Sequence, residues 1–143
     1  MQATARPPRF RGLDSAVPFD SAEETWFWTI SALIARHAGA RVGAGRGEVL
    51  RPCEPDDVVK VLDRLYRQRR IDLSHARILR LWGERGAAPN PRVGIERGDA
   101  RLWKEAMERM DHPLRAKGIV AGPPRGFEHA AAMAATSAAG TFG

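Results

Sequence analysis

Cysteine is nearly absent from this 143-residue sequence; Cys53 is the only one. A lone thiol excludes an internal disulfide and a cysteine-rich zinc site, and it fits a reducing cytoplasm. Long apolar runs are absent as well. Nothing approaches the roughly 20 consecutive apolar residues that a membrane-spanning helix needs. The N-terminus, MQATARPPRFRGLDSAVP, has no apolar stretch to serve as the middle of a secretory signal. No segment alternates with period two for long enough to be a strand. These absences predict a cytoplasmic, all-α protein without a membrane role, and 143 residues suffice for a core without disulfide or metal staples.

The signatures of catalysis are missing too. His37, His75, His112 and His129 have no ligand spacing among themselves or with Cys53, so no metal site is expected. The loop GAGRG at Gly43–Gly47 follows a helical pattern rather than a strand and lacks the Lys-Ser/Thr ending of a phosphate loop. Glu23–Glu24 and Asp56–Asp57 open helices, where capping explains them better than acid–base chemistry. Cys53 lies near a helix start, a setting that lowers a thiol pKa, but no base accompanies it in sequence. Neither an enzyme, a cofactor nor a small-molecule substrate is expected.

What is present is helical periodicity. Residues 1–18 and 121–143 are proline-, arginine- or alanine-rich and aperiodic, and read as a disordered N-terminal arm and a low-complexity C-terminal tail. The body, 19–120, reads as a compact bundle of four to five helices. Ser21 with Glu24 is a capping-box pattern for a first helix ending near Ala38. Pro55, Asp56 and Asp57 open a second, and Asp72 or Ser74 caps a third. A fourth runs from about Ile95 to Asp111, and Pro113–Lys117 is one more turn. Trp26, Phe27, Ile30, Leu62, Leu65, Leu79, Trp82, Trp103 and Met107 are the expected core, with Leu73 and Ala76 on the inner stripe of the third helix.

Net charge is +6, and 20 of the 23 basic residues are arginine, a bias that a GC-rich genome also produces. Location is therefore the better guide. Eight basic residues against three acids fall between Lys60 and Arg85, five of the six excess charges. Helix, short turn at RRIDLS and helix outline a helix-turn-helix-like hairpin. Lys60, Arg64, Arg67 and Arg70 on its first part and Ser74, Arg77 and Arg80 on its second are donors suited to phosphates and guanine edges. The leading expectation is a small DNA-binding or DNA-associated regulatory protein, against the simpler reading of a solvated charged face.

The run ETWFWTI, Glu24–Ile30, raises a separate question. Trp26 points to the core side of its helix, and Trp28 to the opposite side, over the small residues Ser31, Ala32 and Ala35. Either the chain itself covers Trp28, because the first helix is central or the N-terminal arm folds over it, or another chain does. The alternative function is thus a non-catalytic protein–protein adaptor, or a homodimer, meeting its partner through Trp28, Ser31, Ala32 and Ala35. Finally, VPFDSAEETWFW, RPCEPDDVVKVLDRLYRQRRIDLSHARILRLWGERG and DARLWKEAMERMDHPLRAKGIVA together resemble a family of small, uncharacterised bacterial helical proteins. The resemblance spans 17–121 and implies no activity, ligand or catalytic residue.

Overall fold

A computed structural model of the protein describes residues 15–39 and 49–124. The protein is all-α, with four helices: α1 Ala22–His37, α2 Pro55–Arg67, α3 Leu73–Arg85 and α4 Arg97–Ala116, the last preceded by a 3-10 turn at Gly94–Glu96. No strand occurs among the described residues; a single parallel bridge joins Phe19 to Val120. The Gly43–Gly47 loop, His129 and most of the expected N-terminal arm and C-terminal tail (residues 1–14 and 125–143) lie outside the described residues.

Local chemistry sets each helix start. Ser21 Oγ accepts the Glu24 N–H at 3.0 Å, while the Glu24 carboxylate reaches back one residue beyond the cap to accept the Asp20 N–H at 2.7 Å. Pro55 begins α2, and the Asp57 carboxylate accepts the Glu54 N–H at 2.8 Å. For α3 the cap is Asp72, not Ser74: Asp72 Oδ1 accepts the N–H groups of Ser74 and His75. Pro113 does not stop α4, which carries through to Ala116, so the fourth and fifth expected helices are one. Its missing N–H leaves the Arg109 carbonyl without that donor.

The packing is a pair of central helices with a flank on either side. Helix α1 contacts α2, α3 and α4, and α4 contacts α1, α2 and α3, but α2 and α3 do not pack on one another. The helix-turn-helix segment is therefore continuous in sequence but splayed in space. Its turn is tightly made: the Arg69 N–H meets the Tyr66 carbonyl and the Arg70 N–H meets the Leu65 carbonyl, the double closure of a Schellman motif. The left-handed position, φ 61°, falls to Arg69 rather than glycine. An L side chain is strained there. Arg69→Gly is therefore expected to raise stability by about 0.5–1 kcal/mol, the strain relieved less the added freedom of the unfolded chain, measured by urea denaturation.

The three aromatics of ETWFWTI go to three different partners. Trp26 crosses to α3, where its Nε1–H donates to the Leu79 carbonyl at 2.8 Å. Phe27 packs on Trp103 of α4 with centroids 5.4 Å apart. Trp28, half-buried, packs on Phe19 at 5.1 Å. The Arg51 guanidinium stands over the Phe19 ring, 4.2 Å from its centroid. The chain just before α1 thus supplies Trp28 with an intramolecular partner, and Val17 and Pro18 belong to the packed body: the Val17 N–H donates to Leu50 and both carbonyls face Arg51.

All the expected core residues join the core, five of them buried and Phe27, Ile30, Leu62 and Met107 partly so. Two expectations for α3 fail. Leu73 and Ala76 are exposed, and the buried face is His75, Ile78, Leu79, Trp82 and Gly83. The stripe is rotated because His75 and Gly83, which do not read as apolar, are the residues that approach α1 and α4.

Candidate functional site

Two surface features remain once the core is assembled. The first follows from the splay of α2 and α3, which leaves a groove of about 730 Å³ with α1 contributing to its lining. Trp26, Ile30, Leu33, Leu62, Ile71 and Leu79 line it, all of them buried or half-buried. Four large apolar side chains on it are largely exposed: Leu73 by 68%, Ile34 by 53%, Tyr66 by 46% and Val59 by 40%. They come from three helices, and each belongs to the apolar stripe of its own helix. Every stripe is wider than the core can use, and the surpluses converge. Exposing such groups together, rather than singly, is what sets an interaction surface apart from ordinary surface. The polar members are His37, Asp63, Arg80 and Glu84. Asp63 is engaged by Arg67 at 2.7 Å and Glu84 by Arg80 at 3.2 Å.

The second feature is a cleft of about 270 Å³ between α2 and α4. It is lined by Lys60, Arg64, Gln68 and Arg70 from one side and Arg109, His112 and Lys117 from the other, over an apolar base of Val61, Leu65 and Pro113. No carboxylate is among its lining residues. Lys60, Arg64, Arg70 and Lys117 make no ion pair among the described residues. Arg70 and His112 also border an adjoining depression that holds Glu23, Glu108 and Asp111.

The expected DNA-facing set is divided by this geometry. Lys60, Arg64 and Arg70 come together in the cleft; Arg67 is exposed and paired with Asp63. On α3, Arg77 is exposed and has no ion pair among the described residues, Arg80 is paired with Glu84 at the edge of the groove, and Ser74 is exposed with its N–H given to the cap. No α3 residue lines the cleft. Arg109, His112 and Lys117, which sequence reasoning missed, complete it. A signal existed in the i, i+3 spacing of Arg109 and His112, but a fourth helix expected to end at Asp111 separates Arg109 from His112 and Lys117. Of the residues expected at a protein interface, Trp28 is half-buried on Phe19, Ser31 is exposed, and Ala32 and Ala35 are half-buried.

His75, Asp72, Glu105 and Cys53 lie outside the lining of both the groove and the cleft. His75, 7% exposed, bridges α3 to α4. Its Nδ1 lies 3.1 Å from the Asp72 backbone N and 3.2 Å from Asp72 Oδ1, and its Nε2 lies 2.9 Å from Glu105 Oε1, where an Nε2–H donates to the carboxylate. The bond from His75 holds the Glu105 carboxyl below its ordinary range, and the His75 backbone N–H does the same for Asp72. Burial, aided by Asp57 and Glu54, pushes the Cys53 thiol up to about 11, the opposite of what a helix start alone suggests and unfavourable to a thiolate nucleophile. Among the described residues no three His, Cys, Asp or Glu side chains are grouped to hold a metal, and no helix is long and apolar enough to cross a membrane. No family model, curated protein or solved structure matches the chain, so its function has to be read from the groove and the cleft themselves.

Proposed function

We propose that the protein is a non-catalytic adaptor that docks an amphipathic helix of a protein partner in the groove between α2 and α3. The observation that carries this is the convergence of Ile34, Val59, Tyr66 and Leu73, exposed apolar residues of three helices, around one groove. The occupant is helical for a physical reason. Almost all the lining comes from helices, whose mid-helix N–H and C=O groups are already paired internally, so an extended peptide would bury its own backbone without partners. An amphipathic helix brings its backbone hydrogen bonds with it and offers residues at i, i+3, i+4 and i+7. Asp63, Arg80, Glu84 and His37 would then set its direction through charge at the rim.

Selection of displayed amphipathic helices against the purified protein tests this. Enriched sequences should carry apolar anchors at helical spacing. Their affinity should fall at least tenfold on Leu73→Asp and on Ile34→Asp, both at sites more than half exposed, with circular dichroism confirming the fold of each variant. Failure to enrich helices, or helices indifferent to both substitutions, would rule the groove out.

A DNA-associated role is the second reading, favoured by Lys60, Arg64 and Arg77, cations without an ion pair among the described residues. Duplex binding that uses both basic regions should weaken steeply between about 50 and 200 mM salt and on Arg77→Glu; insensitivity to both would remove it.

A further inference from the structure

We infer that the cleft between α2 and α4 is a binding site for a phosphate-bearing ligand, with Arg64 and Arg109 as its principal donors. This goes beyond helix docking, since the cleft and the groove lie on different sides of α2. It shares Lys60, Arg64 and Arg70 with the DNA reading but has no need of Arg77 or Arg80.

Charge supplies the first argument. Like charges gathered around a small, partly desolvated space repel one another, and protein surfaces ordinarily intersperse carboxylates to offset this, as Asp63 does for Arg67 and Glu84 for Arg80. Here Lys60, Arg64, Arg70 and Lys117 have no such offset, and no lining residue is acidic. An anion entering the cleft would remove that repulsion and gain charge-assisted hydrogen bonds.

Arg109 supplies the second. Its nearest carboxylate is Glu105, whose Oε1 is already held by His75 Nε2–H at 2.9 Å and stands 3.6 Å from Arg109 Nη1. Nη1 is turned to that carboxylate, is shielded from water and has no hydrogen-bond partner among the described residues. Arg109 itself lines the cleft, so the rest of its guanidinium fork is what a ligand oxygen there would meet. The chemistry is that of phosphate: three planar guanidinium forks, Arg64, Arg70 and Arg109, line the cleft together with the ammonium groups of Lys60 and Lys117. At about 270 Å³ the space lies just below the range of pockets that enclose whole drug-sized ligands, and suits a phosphate or diphosphate group. That group belongs either to a small phosphate ester or to a nucleic acid.

Isothermal titration of the full chain with pyrophosphate, and anisotropy of labelled duplex DNA with and without pyrophosphate, at about 50 mM salt, test the site and separate the sources. Pyrophosphate should bind, and the double variant Arg64→Gln with Arg109→Gln should weaken it at least tenfold. Arg77→Gln and Leu73→Asp should leave it unchanged, the latter separating this site from the groove. Pyrophosphate binding without duplex binding assigns the cleft to a small ester; duplex binding that pyrophosphate displaces assigns it to nucleic acid. No pyrophosphate binding, or binding unaffected by the double variant with circular dichroism confirming the fold, overturns the proposal.

Discussion

Replacing Phe19 by alanine is expected to cost about 3–5 kcal/mol of folding stability, the range for removing a fully buried aromatic. The residue is 0% exposed although it precedes the first helix. Three separate connections meet on it. Its ring packs on Trp28 and under the Arg51 guanidinium. Its N–H donates to the Ile119 carbonyl at 2.9 Å, and its own carbonyl accepts the Ala121 N–H at 2.9 Å. The chain entering α1 is thereby bound to the chain leaving α4. Alanine keeps those two backbone bonds but leaves a cavity that Trp28 and Arg51 can fill only by giving up their present positions. Urea denaturation read by far-UV circular dichroism gives the number, with an unchanged m-value showing that the same surface unfolds. A loss under about 1 kcal/mol would mean that the Phe19–Trp28 contact closes nothing, and Trp28 would again be free to serve an external partner.

The fold was legible in the sequence wherever a helix obeys its own local rules. Ser21, Pro55 with Asp56 and Asp57, and Asp72 mark three helix starts, and the 3.6-residue period gives the class and most of the core. Periodicity reports which side of a helix is apolar, but not how much of that side the fold can cover. Val59 and Tyr66 sit on the same apolar stripe as Leu62, and only the absence of α2–α3 packing turns them outward. The groove was therefore visible as an excess of apolar residues on three helices without being recognisable as a groove. The cleft was legible by half. Lys60 and Arg64 share a face by spacing, but the residues opposite them are 45 or more positions away along the chain, and which helix lies opposite is decided by packing. Phe19 was missed for a related reason: outside any periodic segment, nothing local distinguishes a buried aromatic from an exposed one.

Gly83→Ala is the sharpest test of how α1 and α3 are fitted together, because local propensity and packing predict opposite signs. Gly83 lies inside α3, where alanine in its place would ordinarily add about 1 kcal/mol to stability. A β-carbon built on Gly83 would stand 2.8 Å from Trp26 Nε1 and 2.9 Å from Ile30 Cγ1. Neither neighbour yields easily. The Trp26 ring is buried, and its Nε1–H is held by the Leu79 carbonyl at 2.8 Å, one turn before Gly83 on the same helix. Moving the indole away would break that bond and leave a buried donor unpaired. Moving Ile30 would disturb the groove it helps to line. Overpacking of this kind costs about 1–3 kcal/mol and is expected to exceed the helical gain, so Gly83→Ala should destabilise the protein. Chemical denaturation supplies the sign, and the intrinsic tryptophan emission should shift as Trp26 loses its acceptor. A more stable variant with unchanged emission would mean that α1 and α3 stand farther apart than a glycine-width contact. Destabilisation would in turn affect function. Since Trp26, Ile30 and Leu79 are lining residues shared by the core and the groove, the same substitution should weaken any helix docked there, even though Gly83 itself does not line the groove.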